Sequence, residues 1–186
     1  VGDSVEILRE DFEGAFPLGS CWRLLDTNPN DGMEYVWDDD MLRPYTGLRA
    51  AWPARGGANG LDPTPGMHYP PNMDSWMIYG PVDLSNAKSV MITFSLWRET
   101  EYFDPVMFGV SQDGIKFDMV GWWGTEEWET ETLGLNSYIG DPDVWIAWYF
   151  HSDGTYQYAG PWIDDIVLKF EPGDVTVSGS FAYADR

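Results

Sequence analysis

Apolar residues recur at every second position wherever this sequence is regular, and no stretch shows the 3.6-residue period of an amphipathic helix. The clearest example is Val144–His151, VWIAWYFH. Gly, Pro, Asn and Asp separate the regular stretches, and Asp113 and Asp153 in SQDG and SDGT are predicted to form turns by bonding nearby backbone. The Asp-Gly pair of SQDG predicts an antiparallel hairpin of residues 105–111 and 115–121. About ten such strands predict an all-β fold, a jelly-roll β-sandwich of two antiparallel sheets.

Acidic residues greatly outnumber basic ones: 31 Asp and Glu against 10 Lys and Arg give a formal net charge of -21. Such a chain repels nucleic acid and anionic lipid headgroups, so we expect no nucleic-acid partner. No apolar run approaches the length of a membrane span, and we expect no membrane insertion. Cys21 is the one cysteine, which excludes an internal disulfide. A secreted form would therefore depend on core packing or on a bound metal.

We expect residues 1–171 to form a single sandwich domain, because this length suffices for one well-buried core. After the Pro-Gly pair at 172–173, the sequence VTVSGSFAYADR starts a new alternation. Residues 172–186 are therefore predicted to be a linker with the first strand of a following domain, or else an edge strand of the same sandwich. We expect an extracellular location, secreted or attached to a cell surface, with the signal peptide removed or located upstream; the alternative is a cytosolic domain.

Acidic residues stand on the first and the last predicted strands. In GPWIDDIVL, alternation places Asp164 on the same face as Leu168, inside the core. In EDFEG, Asp11 and Glu13 share one face of their strand. If the two strands are neighbours, these carboxylates converge, and a hard cation with oxygen ligands, best calcium, would hold them together. The alternative is that Asp164 accepts backbone N–H bonds in the closing turn and Glu13 lies in solvent.

Aromatic residues are unusually frequent, with 11 Trp, 10 Tyr and 9 Phe, which suggests an exposed aromatic surface as well as a core. Alternation predicts that Trp97, Trp145 and Tyr149 lie on the outer surface of a sheet, if their two strands share that sheet. Flat rings stack on the apolar faces of sugars, so this surface is a candidate polysaccharide site. The alternative is that the irregular stretch 54–72 covers these rings and makes them a second core.

A second aromatic patch, Trp122, Trp123 and Trp128, lies in the segment WWGTEEWETETL. The same two alternatives, exposure or burial, apply to it. Glycoside hydrolysis needs two carboxylates at a set separation, and the acids of this segment are its candidates: Glu126, Glu127, Glu129 and Glu131.

Other catalytic patterns are absent from the sequence. It has no H-E-x-x-H helix and no G-x-S-x-G elbow, and its two histidines, His68 and His151, are far apart along the chain. Acids are abundant throughout, so their presence alone does not indicate catalysis. We therefore predict that the domain is not an enzyme.

Several short motifs follow one another along the chain: DFEG, W-x-x-x-G-P-x-D-L-S, V-S-x-D-G-x-x-F, F-x-S-D and G-x-W-I-D-D-I. In this order they resemble the MAM-like jelly rolls of adhesion proteins and of bacterial secreted peptidases of the immune-inhibitor type. The chain is also similar to calcium-binding carbohydrate-binding modules. The resemblance runs from about residue 10 to 168 and lacks the paired cysteines of animal MAM domains. It implies the following calcium ligands: Glu13 and Asp164, with Asp11, Asp165 and a backbone carbonyl near Gly47 as additions.

Taken together, these features predict a non-catalytic, calcium-stabilised accessory module of a secreted bacterial multidomain protein. It is expected to bind polysaccharide or a cell-surface glycan and to adjoin other domains of the same chain. The alternatives are a protein-interaction or spacer domain beside a catalytic domain and, less favoured, a glycoside hydrolase. Exposed coplanar aromatics would favour the first function, a flat polar surface the second, and a cleft with two facing carboxylates the third.

Overall fold

The computed structural model describes residues 4–28 and 34–173, which form two antiparallel β-sheets packed face to face. A short 3-10 helix, Asn136–Tyr138, precedes the strand Val144–His151, and the described residues contain no helix that could span a membrane. The all-β prediction is confirmed. The strands are β1 (Val5–Glu10), β2 (Trp22–Asp26), β3 (Val36–Asp40), β4 (Ala50–Gly56), β5 (Asp74–Val82), β6 (Ala87–Thr100), β7 (Val106–Ser111), β8 (Asp118–Trp122), β9 (Gly124–Gly134), β10 (Val144–His151) and β11 (Gly160–Pro172).

The first and last strands are neighbours, which meets the condition set for the convergence of their acidic residues. A six-stranded sheet has the order β3-β4-β11-β6-β9, and β1 pairs antiparallel with β11 at its side. A five-stranded sheet has the order β2-β5-β10-β7-β8, and its β7–β8 pair is the hairpin expected from SQDG. The strand expected within residues 174–186 lies outside the described residues.

Trp148 is at the centre of the core between the two sheets. It is fully buried, and its ring centroid lies 5.6 Å from that of Phe94, 5.3 Å from Phe108 and 6.2 Å from Trp22. Phe94 belongs to the six-stranded sheet and the other three belong to the five-stranded sheet. Large aromatic side chains at these alternating positions therefore join the two layers.

A β-bulge in β11 changes which residues of GPWIDDIVL share a face. Asp165 has a φ of 49°, and the register with β6 shifts just after Asp164. Asp164 pairs with Ser95 and Leu168 pairs with Ile92, and these two partners point to opposite faces of β6. The expectation that Asp164 shares a face with Leu168 is therefore wrong, because one extra residue reverses the alternation. Asp164 is nevertheless fully buried.

Several connections pass between the sheets at one end of the sandwich, which we call the crossover end. The register places the end of β6 beside the start of β9, the end of β8 beside the start of β7, and the end of β10 beside the starts of β5 and β7. The connections 57–73, 101–105 and 152–159, together with residue 123, therefore lie at this end. Residues that are distant in sequence meet here.

Candidate functional site

Glu13 binds the loop 41–49, which joins β3 to β4. Its Oε1 accepts hydrogen bonds from the backbone N–H groups of Leu48 at 2.7 Å and Arg49 at 2.8 Å. Gly47 has a φ of 61°, and a Cβ at this position would lie 2.4 Å from Glu13 Oε1. The close backbone approach at Gly47 therefore requires glycine. Backbone N–H groups rather than carbonyls meet the Glu13 carboxylate.

Asp164 and Asp165 bind the same loop from β11. Asp164 Oδ2 accepts hydrogen bonds from the backbone N–H groups of Tyr45 at 2.9 Å and Thr46 at 3.1 Å, and Oδ1 accepts one from Asp165 at 2.8 Å. The Thr46 hydroxyl donates to the Asp165 carboxylate at 2.9 Å. Burial raises the pKa of Asp164 to about 6, while the three N–H donors act in the opposite direction.

These contacts correspond to the hydrogen-bond alternative for Asp164. Glu13 is exposed to solvent, as that alternative expected, but its carboxylate also accepts two N–H groups of the loop. Asp11 Oδ1 accepts the Glu13 N–H at 3.2 Å. Within residues 4–28 and 34–173, Glu13 Oε2 and Asp11 Oδ2 make no hydrogen bond. The junction thus retains carboxylate oxygens of the kind that calcium prefers. Calcium binding there stays a prediction.

Trp97 does not share a surface with the other predicted sugar-stacking rings. It belongs to β6 of the six-stranded sheet, whereas Trp145 and Tyr149 belong to β10 of the five-stranded sheet. Its side chain is buried, with only 4% exposed, and the guanidinium carbon of Arg43 lies 3.6 Å from its ring centroid. The expected common surface is therefore corrected, because the strands lie in different sheets and the loop 41–49 covers Trp97.

Trp145 and Tyr149 lie on the outer face of the five-stranded sheet, where both are partly buried. The Tyr149 ring stacks on Trp76 with centroids 4.2 Å apart, and its hydroxyl donates to Asp74. His151 Nδ1 lies 2.9 Å from the same carboxylate. Burial, followed by the hydrogen bond to Asp74, raises the pKa of Tyr149. These rings already make contacts within the protein that limit the faces they can offer to a ligand.

Trp123 lies in an exposed aromatic cluster at the crossover end, while Trp122 packs edge-on against Phe94 at the margin of the core. The Trp123 ring centroid is 5.3 Å from that of Tyr102, and Tyr102 is 5.2 Å from Phe103. The exposed fractions are 49% for Trp123, 64% for Tyr102 and 65% for Phe103. We call these three rings the aromatic tip. The sequence patterns do not predict Tyr102 and Phe103 as part of a site.

The acids of β9 that were considered for hydrolysis make structural contacts. Glu126 and Glu129 each lie 3.9 Å from the guanidinium of Arg98. Glu127 accepts a hydrogen bond from the indole N–H of the buried Trp97. Arg98 also donates to the backbone carbonyl of Trp123 at 3.2 Å. The Glu126–Glu129 pair therefore helps to hold the arginine that positions the backbone of the aromatic tip.

A group of three acids lies next to the aromatic tip, and each offers a carboxylate oxygen within 4.8 Å of the others: Glu101, Asp104 and Asp153. Among the described residues, no other three His, Cys, Asp or Glu side chains lie close enough together to share a metal ion. Asp104 is fully buried; its Oδ2 accepts the Tyr69 hydroxyl and its Oδ1 accepts the Asp153 N–H, both at 2.7 Å. Burial raises the pKa of Asp104, and the charges of the two neighbouring acids add to this effect.

No local pattern in the sequence indicates this acidic group. Asp104 and Asp153 are 49 residues apart, and only the crossovers bring them together. The turn role predicted for Asp153 is confirmed, because its Oδ1 accepts the Thr155 N–H at 2.6 Å. The turn role of Asp113 is confirmed in the same way by the N–H groups of residues 115 and 116. The nearest sequence signal is the segment ETEYFD, in which acids flank two aromatic residues.

Comparison with known proteins shows the fold. No protein-family model and no curated protein sequence matches the chain. Among solved structures, the K1 cleaved adhesin domain of Lys-gingipain from Porphyromonas gingivalis W83 has 14% identity and a TM-score of 0.58, over 90% of this chain and 98% of that one. The K3 domain of the same protein has 16% identity and a TM-score of 0.57, over 88% and 98%.

The family 11 carbohydrate-binding module from Clostridium thermocellum, solved with a β-1,3-1,4-mixed-linked tetrasaccharide, has 13% identity and a TM-score of 0.52. The match covers 90% of this chain and 95% of that one. At these identities the likeness concerns the fold alone. This chain has a jelly-roll β-sandwich like those of carbohydrate-binding modules and cleaved adhesin domains.

Proposed function

We propose that this domain is a non-catalytic module that binds carbohydrate through the aromatic tip. The observation that supports the proposal most directly is the exposure of its three rings, which ranges from 49% to 65%. A cluster of large apolar rings in water is unfavourable, and such exposed clusters mark binding surfaces. Aromatic rings suit the apolar faces of sugars, and the carbonyl and acidic groups nearby can accept hydrogen bonds from sugar hydroxyls.

The shape of the aromatic tip favours a single glycan chain. Its neighbouring rings meet at interplanar angles of 75° and 87°. Rings at such angles form a corner rather than the coplanar platform that the flat face of an insoluble polysaccharide would require. We therefore propose that one or two sugar units, in a soluble chain or at a chain end, contact these rings.

The charge of the domain restricts the class of glycan. With a formal net charge of -21, the domain repels polyanionic polysaccharides at low ionic strength. This repulsion does not act on neutral glycans. Neutral polysaccharides are accordingly the proposed ligands.

The proposed setting is a secreted multidomain protein in which this domain is an accessory part. The motif resemblance to MAM-like domains that accompany secreted bacterial peptidases supports this setting, as does the structural likeness to modules with carbohydrate-binding or adhesin names. Calcium at the junction of Glu13 and Asp11 with the loop 41–49 is part of the proposal, since a metal would join the first strand to that loop without a disulfide.

The two alternative functions have less structural support. A spacer domain was expected to bury its aromatic residues under a flat polar surface, whereas the aromatic tip is exposed. A glycoside hydrolase was expected to show two carboxylates facing each other across a cleft. Glu126 and Glu129 instead lie on one strand, and both approach Arg98.

Affinity electrophoresis in gels that contain soluble β-1,3-1,4-glucan, xylan or galactan tests the proposal. At least one neutral polysaccharide should slow the wild-type domain, and Trp123→Ala or Tyr102→Ala should weaken the retardation about tenfold, as expected when a stacking ring is lost. Tyr156→Asn is the matched control, because Tyr156 is 74% exposed outside the tip and its φ of 56° suits asparagine. Equal retardation of wild type and tip variants, or no retardation of any form by any of the three, would contradict the proposal.

A further inference from the structure

We infer that the acidic cluster of Glu101, Asp104 and Asp153 binds a divalent cation of the calcium class, and that the bound ion fixes the loop displaying the aromatic tip. Nothing in the motif resemblance assigns this site, which lies at the crossover end and not at the junction of Glu13 and Asp11 with the loop 41–49. The inference goes beyond glycan binding and does not depend on it.

One carboxylate oxygen at this site is buried and has no hydrogen-bond partner, which favours a cation as its partner. Glu101 Oε1 is shielded from solvent and has no hydrogen-bond partner. A buried charged oxygen without a partner is strongly unfavourable. In the described part of the chain, no Lys, Arg or His nitrogen lies within 4.0 Å of any of the three carboxylates. The protein itself therefore supplies no cation to this negative cluster.

The spacing of the oxygens suits one shared ion. One oxygen from each acid lies within 4.8 Å of the others. Calcium binds oxygen ligands at about 2.3–2.6 Å, so two ligands on opposite sides of the ion are about 5 Å apart. An ion between the three carboxylates can thus contact all of them. A site of oxygen ligands alone favours calcium over zinc, which prefers nitrogen and sulfur.

Hydrogen bonds already hold the central carboxylate in position. The Tyr69 hydroxyl donates to Asp104 Oδ2 and the Asp153 N–H donates to Oδ1, while the Tyr69 N–H donates to the Tyr158 carbonyl at 2.8 Å. Such outer contacts orient metal ligands. Through them the cluster links the connections 57–73, 101–105 and 152–159.

The sequence Glu101-Tyr102-Phe103-Asp104 turns its two acids toward the cluster and its two aromatics toward solvent. Asp104 is 0% exposed, whereas Tyr102 and Phe103 are 64% and 65% exposed. An ion bound beneath the loop would therefore restrict the backbone that displays two of the three rings. Ordering a binding loop before the ligand arrives reduces the entropy lost on binding.

Calorimetric titration of calcium chloride into chelator-treated protein tests the site. All forms have Glu13→Gln, so that the junction proposed for the other calcium does not contribute. We compare this parent with forms that add Glu101→Gln, Asp104→Asn or, as a matched control, Asp143→Asn, an exposed residue just before β10 at the opposite end of the sandwich. The parent and the control should bind one calcium, and Glu101→Gln should weaken binding by about tenfold or more.

Hydrogen exchange of the backbone at residues 101–105 is the second measurement. Calcium should slow exchange there in the parent and not in the Glu101→Gln form. Glu101→Gln decides the result even if Asp104→Asn does not fold, because the Glu101 oxygen has no partner to lose. A parent that binds no calcium, or a Glu101→Gln form that binds it as tightly as the parent, would overturn the inference. Loss of calcium binding in that form supports it even if every glycan test is negative.

Discussion

Trp148 shows how one residue can combine a large stabilising term with an unfavourable one. Its ring is fully buried among Phe94, Phe108 and Trp22, so it contributes a large apolar area to the core. Its indole Nε1, however, is buried without a hydrogen-bond partner. The packing of the ring must therefore outweigh the cost of that unpaired N–H.

A pair of substitutions separates these two contributions. Trp148→Ala should lower the free energy of unfolding by about 3–5 kcal/mol, because it leaves a large cavity. Trp148→Phe retains an aromatic ring and removes the unpaired N–H, so the loss should be smaller, about 1–2 kcal/mol. Urea denaturation of the three proteins measures both values. Equal losses would mean that the ring is not what stabilises this position.

Tyr149 predicts a dependence of stability on alkaline pH. Burial and the hydrogen bond to Asp74 raise the pKa of this phenol above its ordinary value of 10.0. When pH rises above that value, the unfolded chain loses the proton first while the folded protein keeps it. The free energy of unfolding should therefore fall as pH increases.

Urea denaturation at about pH 9 and about pH 11 tests this dependence, with Tyr149→Phe as the comparison. The variant lacks the titrating group, so the wild type should lose more stability than the variant between the two pH values. Parallel losses would show that Tyr149 titrates alike in the folded and unfolded states.

Among the elements, the bulged strand β11 and the loop 41–49 depend on each other. Asp164 accepts three backbone N–H groups, two of them from the loop, whereas Asp165 accepts only the Thr46 hydroxyl from it. Asparagine at position 164 has one carbonyl oxygen, which can accept either the two loop N–H groups or the N–H of Asp165. Its NH2 group then faces the remaining N–H donors and cannot accept a hydrogen bond from them. Substitution at 164 should thus be more harmful than the same substitution at 165.

We expect Asp164→Asn to lower the free energy of unfolding by about 1–3 kcal/mol, which is the range for unsatisfied buried donors. Asp165→Asn should change it by less than about 0.5 kcal/mol, since the side chain is partly exposed and asparagine tolerates a positive φ. Thermal or urea unfolding in excess chelator measures both. A cost at 165 equal to that at 164 would contradict the role assigned to the buried carboxylate.

The sequence predicts the elements better than their arrangement. The hairpin of β7 and β8 follows from an Asp-Gly turn, which is a local signal. The bulge at Asp165 does not follow from alternation, because contacts with a distant loop stabilise it. Nor does alternation assign strands to sheets: β6 and β10 have the same pattern and lie in different sheets, so Trp97 is covered where exposure was expected.

For the molecule as a whole, the twofold period and the turn residues were enough to predict the sandwich, whereas the pairing of the first strand with the last was only a condition of the metal hypothesis. The contents of the crossover end could not be predicted in this way. The aromatic tip and the acidic cluster each combine residues from separate connections, and their meeting depends on how the strands pair. Trp123 was selected from the sequence only as part of a patch, and its partners Tyr102 and Phe103 became apparent in three dimensions.

Hydroxyl-radical footprinting, with and without a polysaccharide that the domain binds, tests the central claim most directly. It reports the solvent exposure of individual aromatic side chains by mass spectrometry. The glycan should reduce labelling of Tyr102, Phe103 and Trp123 and leave unchanged that of Tyr156, which is more exposed than any of them. Unchanged labelling of these three rings, with protection of Trp76 and Tyr149 on the five-stranded sheet, would contradict the assignment of the binding surface to the aromatic tip.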